Sequence, residues 1–407
     1  MSSNGRSSRT GGPTKALLSQ RGFIDRMDDG LTGVEGAQDV ISMITSRRRV
    51  TKLILGHNKL SDDGCIVLFR FLASQAGRKY RITEISLNSN EIGDRGLLAI
   101  AVYLNENQHL TELFLQNNLF SGDPSVIETF TNSINFSHIE MLSLATNKAL
   151  SDDFAGAFFS GLRSTYLKEL HVSATGITRR SAPHIISYIS SPERCHLRIF
   201  KCNGNVLGHS AVKRIIFAIE KSNFVLSTVE LYSNHMATES DDDDTSSDDT
   251  DWKDLEKNLR LFLLRNMHLK RVAEKEALGL LRYSRTLLLP TKSSALCILP
   301  IELQLHILSF LAPSLSPAQR INVCTYASTS MTLPPLLPKL SGCEPKMCLP
   351  DPSSLGFSEG EGKVWEVRGT TGGYAGKCRD AVLCHKEQQQ TKWLDAVGCS
   401  AYDGGSA

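Results

Sequence analysis

Acidic residues recur in this chain at a spacing that could build one binding surface. Glu84 and Glu112 lie 28 residues apart, and Glu169 follows after 57 more, close to two further intervals of the same length. Carboxylates gathered in this way favour a protein partner with basic or amide donors over a phosphate backbone. The same surface is expected to include further residues from a repeated sequence pattern that is described below. They are Phe114, His171, Lys201, Glu230 and Tyr232.

No catalytic motif accompanies these acids. The chain has no G-x-S-x-G, no H-E-x-x-H and no glycine-rich nucleotide loop, so we expect no enzyme activity of its own and no cofactor. Five cysteines near the end, with His385, offer zinc-binding atoms, but four and five residues separate the close pairs where two are commonest. We predict no metal site, and scattered structural or free thiols are the alternative to zinc. The five are Cys343, Cys348, Cys378, Cys384 and Cys399.

The acids belong to a repeated pattern, L-x-x-L-x-L-x-x-N-x-L, that occurs seven times. Its first apolar position falls at Val50, Ile82, Leu110, Ile139, Leu167, Leu197 and Leu226. Apolar residues at every second position, such as Leu53 and Leu55, predict a short strand with one buried face. A stripe at helical spacing then follows, for example Leu97, Ile100, Ala101 and Leu104. A nearly constant period of this length predicts a solenoid of strand–turn–helix units.

The asparagine of the pattern predicts a column of buried amides that bind backbone groups left unpaired by the turns. The column comprises Asn58, Asn90, Asn118, Asn147, Asn205 and Asn234, and Thr175 fills the remaining position. On these residues the chain resembles the helical type of leucine-rich repeat found in ribonuclease inhibitor and in Ran GTPase-activating proteins. The resemblance implies an α/β horseshoe with a parallel inner sheet, outer helices and a C-terminal helical cap. It also implies protein binding on the concave face, with GTPase activation of the Ran-activator type as an alternative function.

Composition divides the chain into four parts. Residues 1–19 are rich in Ser, Gly and Arg and are expected to form a disordered tail. Residues 20–289 are assigned to the solenoid, with degenerate end repeats and an acidic loop at 238–251. That loop is either a solubilising segment or a phosphorylated docking element. Residues 296–340 are predicted to be helical, and residues 341–407 form a largely irregular tail with the cysteines.

The helical segment begins with Leu299-Pro300-Ile301-Glu302, and a proline suits the first turn of a helix. The string L-P-x-E-L-x-x-x-I-L-S-F-L resembles the opening of an F-box, a module that binds the small adaptor subunit of cullin-type ubiquitin ligases. The resemblance implies adaptor contacts from Pro300, Leu303, Ile307, Leu308 and Leu311. An amphipathic helix that only caps the solenoid explains the same apolar stripe, so both interpretations stay open. A second helix is expected to start at Ser316 and to turn Ile321 inward.

Charge and hydropathy narrow the range of partners. The net charge is +2, so no global field draws the chain to nucleic acid or to an anionic membrane. No apolar run is long enough to span a bilayer, and we expect no membrane partner. Ten cysteines without a visible signal peptide predict reduced thiols and a cytoplasmic or nuclear location.

Overall fold

The computed structural model describes residues 22–234, 249–289, 299–332 and 385–404. The chain forms two compact units, Met1–Leu263 and Leu264–Ala407. The predicted N-terminal tail, most of the acidic loop and four of the five tail cysteines lie outside the described residues. The described end of that loop is helical, because a helix begins at Asp249.

The first unit contains one sheet of eight parallel strands, each three residues long, that pair in the order in which they occur along the chain. They are β1 (Phe23–Asp25), β2 (Lys52–Ile54), β3 (Glu84–Ser86), β4 (Glu112–Phe114), β5 (Met141–Ser143), β6 (Glu169–His171), β7 (Ile199–Lys201) and β8 (Thr228–Glu230). The middle residue of every strand is buried, and each of β1–β7 pairs with the strand that follows it in the same register. The predicted α/β solenoid is therefore confirmed.

A helix follows each of the first seven strands, and short 3-10 turns lie at Gly77–Lys79 and Arg179–Ser181. The helices are α1 (Gly33–Thr45), α2 (Ser61–Ala73), α3 (Asp94–Leu104), α4 (Pro124–Asn135), α5 (Ser151–Gly161), α6 (Ala182–Ile189) and α7 (Gly208–Ser222). Each helix buries one stripe against the strands, so a single apolar core runs through all the repeats. The predicted stripe of α3 is confirmed, since all four of its residues are fully buried.

The asparagine column is buried throughout and joins neighbouring repeats. Asn118 shows the pattern: its Oδ1 accepts hydrogen bonds from the backbone N–H groups of Asn90 and Ile92, both at 3.1 Å. Its Nδ2 donates to the carbonyls of Leu87 and Leu115, both at 3.0 Å. One side chain thus satisfies four backbone groups in two repeats, which explains why the same residue type returns at each turn.

The first repeat is more regular than its sequence predicts. Arg26 stands where most other repeats have a core leucine, and Asp29 stands where they have asparagine. Even so, β1 pairs with β2 in register, and Ile24 is buried. A parallel ladder uses backbone groups, so the strand forms although the side-chain pattern is broken.

The end of the repeat array also departs from the sequence assignment. Helix α8 runs without interruption from Asp249 to Leu288. Its early residues Leu255 and Leu259 pack against the core of the first unit. From Leu264 onward the helix belongs to the second unit, although 20–289 was assigned to the solenoid.

The second unit is helical in its described residues. Helix α8 is followed by α9 (Ile301–Ser309), α10 (Pro317–Ser328), a 3-10 turn at Ser330–Thr332 and α11 (His385–Ala396). Ser316 begins α10 with a capping box, its hydroxyl accepting from the Gln319 N–H at 3.2 Å. The four helices share one apolar cluster, to which α8, α9, α10 and α11 contribute, for example, Leu281, Leu308, Val323 and Trp393, respectively. The described part of the tail therefore contains a packed helix that buries Trp393 and Leu394.

Ile321 departs from its predicted position, since it is 64% exposed. The residues that α10 buries are Gln319, Val323, Cys324 and Ala327. Their spacing of three and four places Ile321 on a different face of the helix.

Gly122→Ala is expected to lower the free energy of unfolding by about 2–3 kcal/mol. Gly122 has a φ of +82°, and an added Cβ would lie 2.2 Å from the carbonyl oxygen of Leu150 in the next repeat. Gly279→Ala, at an open position in α8, is the matched control and is expected to stabilise its helix by about 0.5–1 kcal/mol. Urea denaturation measures both, and equal effects would contradict the close approach at Gly122.

Candidate functional site

The candidate site is the free face of the sheet. We define this face as the side chains at the first and third positions of each strand β1–β8, together with the side chain that lies two positions after the third. These side chains point away from the core because successive residues of a strand alternate between faces. The first-position row contains Glu84, Glu112 and Glu169, with Met141 between the last two. The structure therefore brings the three predicted acids into one row.

The third-position row holds four more of the predicted residues. Phe114, His171, Lys201 and Glu230 occupy matching places on β4, β6, β7 and β8. Tyr232 lies two residues beyond Glu230 and is 54% exposed. Between Phe114 and His171, however, Ser143 is fully buried, so the face is interrupted at β5.

Most of the predicted acids already have a charged or polar neighbour on the face. Glu84 forms an ion pair with Lys52 on the preceding strand. Glu169 Oε1 lies 2.7 Å from His171 Nε2, and Glu230 Oε1 lies 3.3 Å from Lys201 Nζ. Lys52 and Lys201 thus give Glu84 and Glu230 a cationic neighbour, whereas His171 gives Glu169 a partner that is charged only when it is protonated.

Glu112 is the exception, because within the described part of the chain its carboxylate has no ion-pair or hydrogen-bond partner. Partial burial and then the charge of Glu84 raise the pKa of Glu112, and Lys52 opposes the shift. Glu140 and Glu169 raise it further. The centre of the face thus carries a carboxylate that no cation of the described residues contacts directly, with Lys52 as the opposing charge that affects its pKa.

Glu112→Gln is expected to raise the free energy of unfolding at neutral pH. A raised pKa means that the folded protein binds the Glu112 proton more readily than the unfolded chain does, so ionisation destabilises the fold. The gain should shrink as the pH falls through the raised pKa of Glu112. It should vanish below the ordinary glutamate pKa of about 4.3, where the carboxyl is protonated in both states.

Urea denaturation across a pH series measures this gain. Glu84→Gln is the control, and a smaller gain or a loss is expected because the substitution leaves Lys52 without its ion pair. A Glu112→Gln protein that is no more stable than the parent at neutral pH would contradict the electrostatic interpretation.

Sequence reasoning missed two features of this face. Glu140, just before β5, adds to the acidic field, but it lies outside the alternating pattern that defined the candidates. Threonine hydroxyls also link the strands: Thr83 Oγ1 donates to the Thr51 carbonyl at 3.1 Å, and Thr111 Oγ1 donates to the Thr83 carbonyl at 3.0 Å. The sequence signal for these bonds was the return of threonine directly before three successive strands, at Thr51, Thr83 and Thr111.

The F-box-like residues are divided between two faces of α9. Leu303, Ile307 and Leu311 form a stripe at spacing four and are 49%, 44% and 41% exposed. Pro300 precedes the helix and is also exposed. Leu308, by contrast, is 1% exposed and packs in the core of the second unit, so its predicted contact with an adaptor does not fit its position.

The described cysteines are buried and unpaired. Burial raises the pKa of Cys202 and of Cys399 to about 12, which keeps both thiols protonated at neutral pH. Within the described ranges, no group of three or more His, Cys, Asp and Glu is arranged to hold a metal ion. None of the helices searched in those ranges is long and apolar enough to cross a membrane.

Comparison with known proteins identifies the repeats. A family model described as Leucine Rich repeat matches residues 49–69 and 82–101, which cover most of β2–α2 and β3–α3. The chain is also 23% identical over 214 residues to a Rho GTPase-activating protein, gacW, of Dictyostelium discoideum. The match covers 51% of this chain and 19% of that protein, so the chain spans about a fifth of the relative's length. Together with the eight-strand ladder, the family match makes the first unit a leucine-rich-repeat solenoid, an architecture that binds proteins on extended surfaces.

Proposed function

We propose that this protein binds a protein partner through the free face of its sheet, and that the partner contributes a basic side chain to Glu112. The unneutralised carboxylate of Glu112, flanked by Glu84 and Glu169, is the observation that supports the proposal most directly. A Lys or Arg from a partner would relieve the repulsion, so binding and charge neutralisation favour each other.

Aromatic residues on the same face support this proposal. Phe114 is half-buried next to Ser86 and Ser143, and Tyr232 is exposed at the last strand. Aromatic side chains supply large contact areas at interfaces, while surrounding polar groups give specificity. We expect Phe114 to contribute more affinity than Tyr232, because it lies beside the acidic row.

Charge reversal tests the proposal. The double variant Glu112→Lys, Glu169→Lys should weaken capture of the partner from a lysate of the source cells by more than about tenfold. Glu35→Lys, Glu128→Lys makes the same change in net charge at exposed helix positions and should leave capture unchanged. Equal capture by the two double variants would mean that the free face does not bind the partner.

A second candidate function is that of a substrate adaptor for a cullin-type ubiquitin ligase. The exposed stripe of Leu303 and Ile307 on α9, continued by Leu311 just after the helix, favours it, because an exposed apolar stripe suits a helical adaptor. Binding to the purified adaptor subunit should be lost in Leu303→Asp, Ile307→Asp. Absence of binding by the parent protein would end this candidate.

GTPase activation, with this chain acting on a bound GTPase, rests on the similarity to the Dictyostelium protein. It predicts faster GTP hydrolysis by a Ran- or Rho-type GTPase when the purified chain is added. An unchanged rate with both GTPase types would exclude it.

A further inference from the structure

Among the residues that the structure describes, the last strand of the sheet lacks hydrogen bonds that every earlier repeat makes. The residue after each of β1–β7 donates its backbone N–H to the next strand at 2.8–2.9 Å, as Leu55 does to Ser86. Leu231 holds the same position after β8, and Ser233 holds the next donor position. Neither N–H has a partner among the described residues. Within the same described ranges, the carbonyl of Ser227 lacks the donor that its counterparts Thr51 and Thr83 receive. Such groups at a sheet edge are a template for another strand.

A groove of about 480 Å³ runs along this edge, between β8, α7 and the first turns of α8. Its apolar walls include Val229, Leu231, Trp252, Leu255, Leu259 and Leu263. The groove exists because α8 packs against the core beyond α7, while no described strand follows β8. Its volume lies within the usual range for ligand sites.

The register of the sheet specifies the occupant. In a parallel ninth strand, the residues beside Val229 and Leu231 would point towards the core side and meet the apolar groove. The residue between them would lie on the free face beside Glu230. Ion pairs on this face join neighbouring strands, as Lys201 and Glu230 do at 3.3 Å. Glu230 already contacts Lys201 and accepts from Asn203 Nδ2 at 2.7 Å, so a Lys or Arg at the middle position would share this carboxylate. Charge complementarity favours a basic residue there over an acidic one.

We propose that the edge of β8 and its groove bind an extended segment of a protein partner, added in parallel as a ninth strand. The segment has two apolar residues flanking a Lys or Arg, and its carbonyls accept from the Leu231 and Ser233 N–H groups. This is recognition by β-augmentation, in which backbone bonds give affinity and alternate side chains give specificity. The site lies at the edge of the sheet and does not use Glu112.

Selection from a random heptapeptide library against the full chain tests the proposal. Enriched peptides should carry the apolar–basic–apolar pattern, and a synthetic copy should slow amide hydrogen exchange at Ser227–Ser233. Leu255→Arg, which places a charge in the groove, should weaken the peptide by more than about tenfold. Leu261→Arg, at a 53% exposed position of the same helix, is the matched control and should bind as the parent does.

Glu230→Gln gives a readout that does not depend on how well the Leu255 variant folds. Peptides selected for binding to this variant should no longer prefer Lys or Arg at the middle position, and they should keep the two apolar residues. Failure to enrich the alternating pattern, or equal binding to the Leu255 and Leu261 variants when both are folded, would overturn the proposal. Self-association of the parent chain that Leu255→Arg abolishes would assign the groove to a second copy instead. Because Glu112→Lys, Glu169→Lys should leave the peptide bound, failure of this site and failure of the free-face proposal can be told apart.

Discussion

Replacing Asn118 by alanine is expected to lower the free energy of unfolding by about 3–5 kcal/mol. The substitution leaves the N–H groups of Asn90 and Ile92 without their acceptor and the carbonyl of Leu87 without its donor. The Leu115 carbonyl loses one of two donors and keeps Asn147 Nδ2 at 3.0 Å. These groups lie in a buried column, where water cannot replace the lost amide. Equilibrium denaturation measures the total loss. Hydrogen exchange should localise it to the repeats on either side, because a solenoid is stabilised by neighbouring units.

Two further variants test whether the side-chain bonds cause this loss. Asn132→Ala removes an exposed asparagine from α4 and should change stability by less than about 0.5 kcal/mol. Asn118→Thr should lose less than Asn118→Ala, since Thr175 fills the same position and its hydroxyl donates to the Val172 carbonyl at 2.9 Å. Equal losses for the alanine and threonine variants at position 118 would mean that the hydrogen bonds contribute little.

Leu308→Asp is expected to unfold the second unit or to destabilise it by about 4 kcal/mol or more, because it buries a carboxylate in an apolar cluster. Trp393, which belongs to the same cluster, should become exposed, and its fluorescence and limited proteolysis report the change. Leu303→Asp, on the exposed stripe of the same helix, should leave the unit folded. Equal sensitivity of the two variants would contradict the assignment of faces on α9. Loss of adaptor binding in Leu308→Asp alone therefore carries no information about the interface.

The regular part of the fold could be predicted from sequence because each of its determinants is local and repeated. Leu53 and Leu55 alternate with polar positions, and Asn58 returns at each turn, so strand register and core followed directly. The row that joins Glu84 to Glu112 followed from the same register.

Other features depend on contacts that periodicity does not encode. The first strand survives Arg26 because its pairing uses backbone groups. The burial of Ser143 depends on its neighbours at β5, and the isolation of Glu112 depends on where the cations lie. The continuity of α8 had a signal, since Ala273, Ala277 and Leu281 recur at helical spacing. In the same stretch, Glu274 takes the place of the second strand leucine of the repeat pattern, which also indicates that no regular repeat continues there.

The central claim is that the partner lies on the free face of the sheet, and site-specific photo-crosslinking tests it most directly. With benzoyl-phenylalanine in place of Phe114, irradiation of the complex should join the partner covalently to the chain. The same group at Val102, a 66% exposed position on the outer helix α3, should give no product. Crosslinking from Val102 and none from Phe114 would place the partner on the helices and contradict the account.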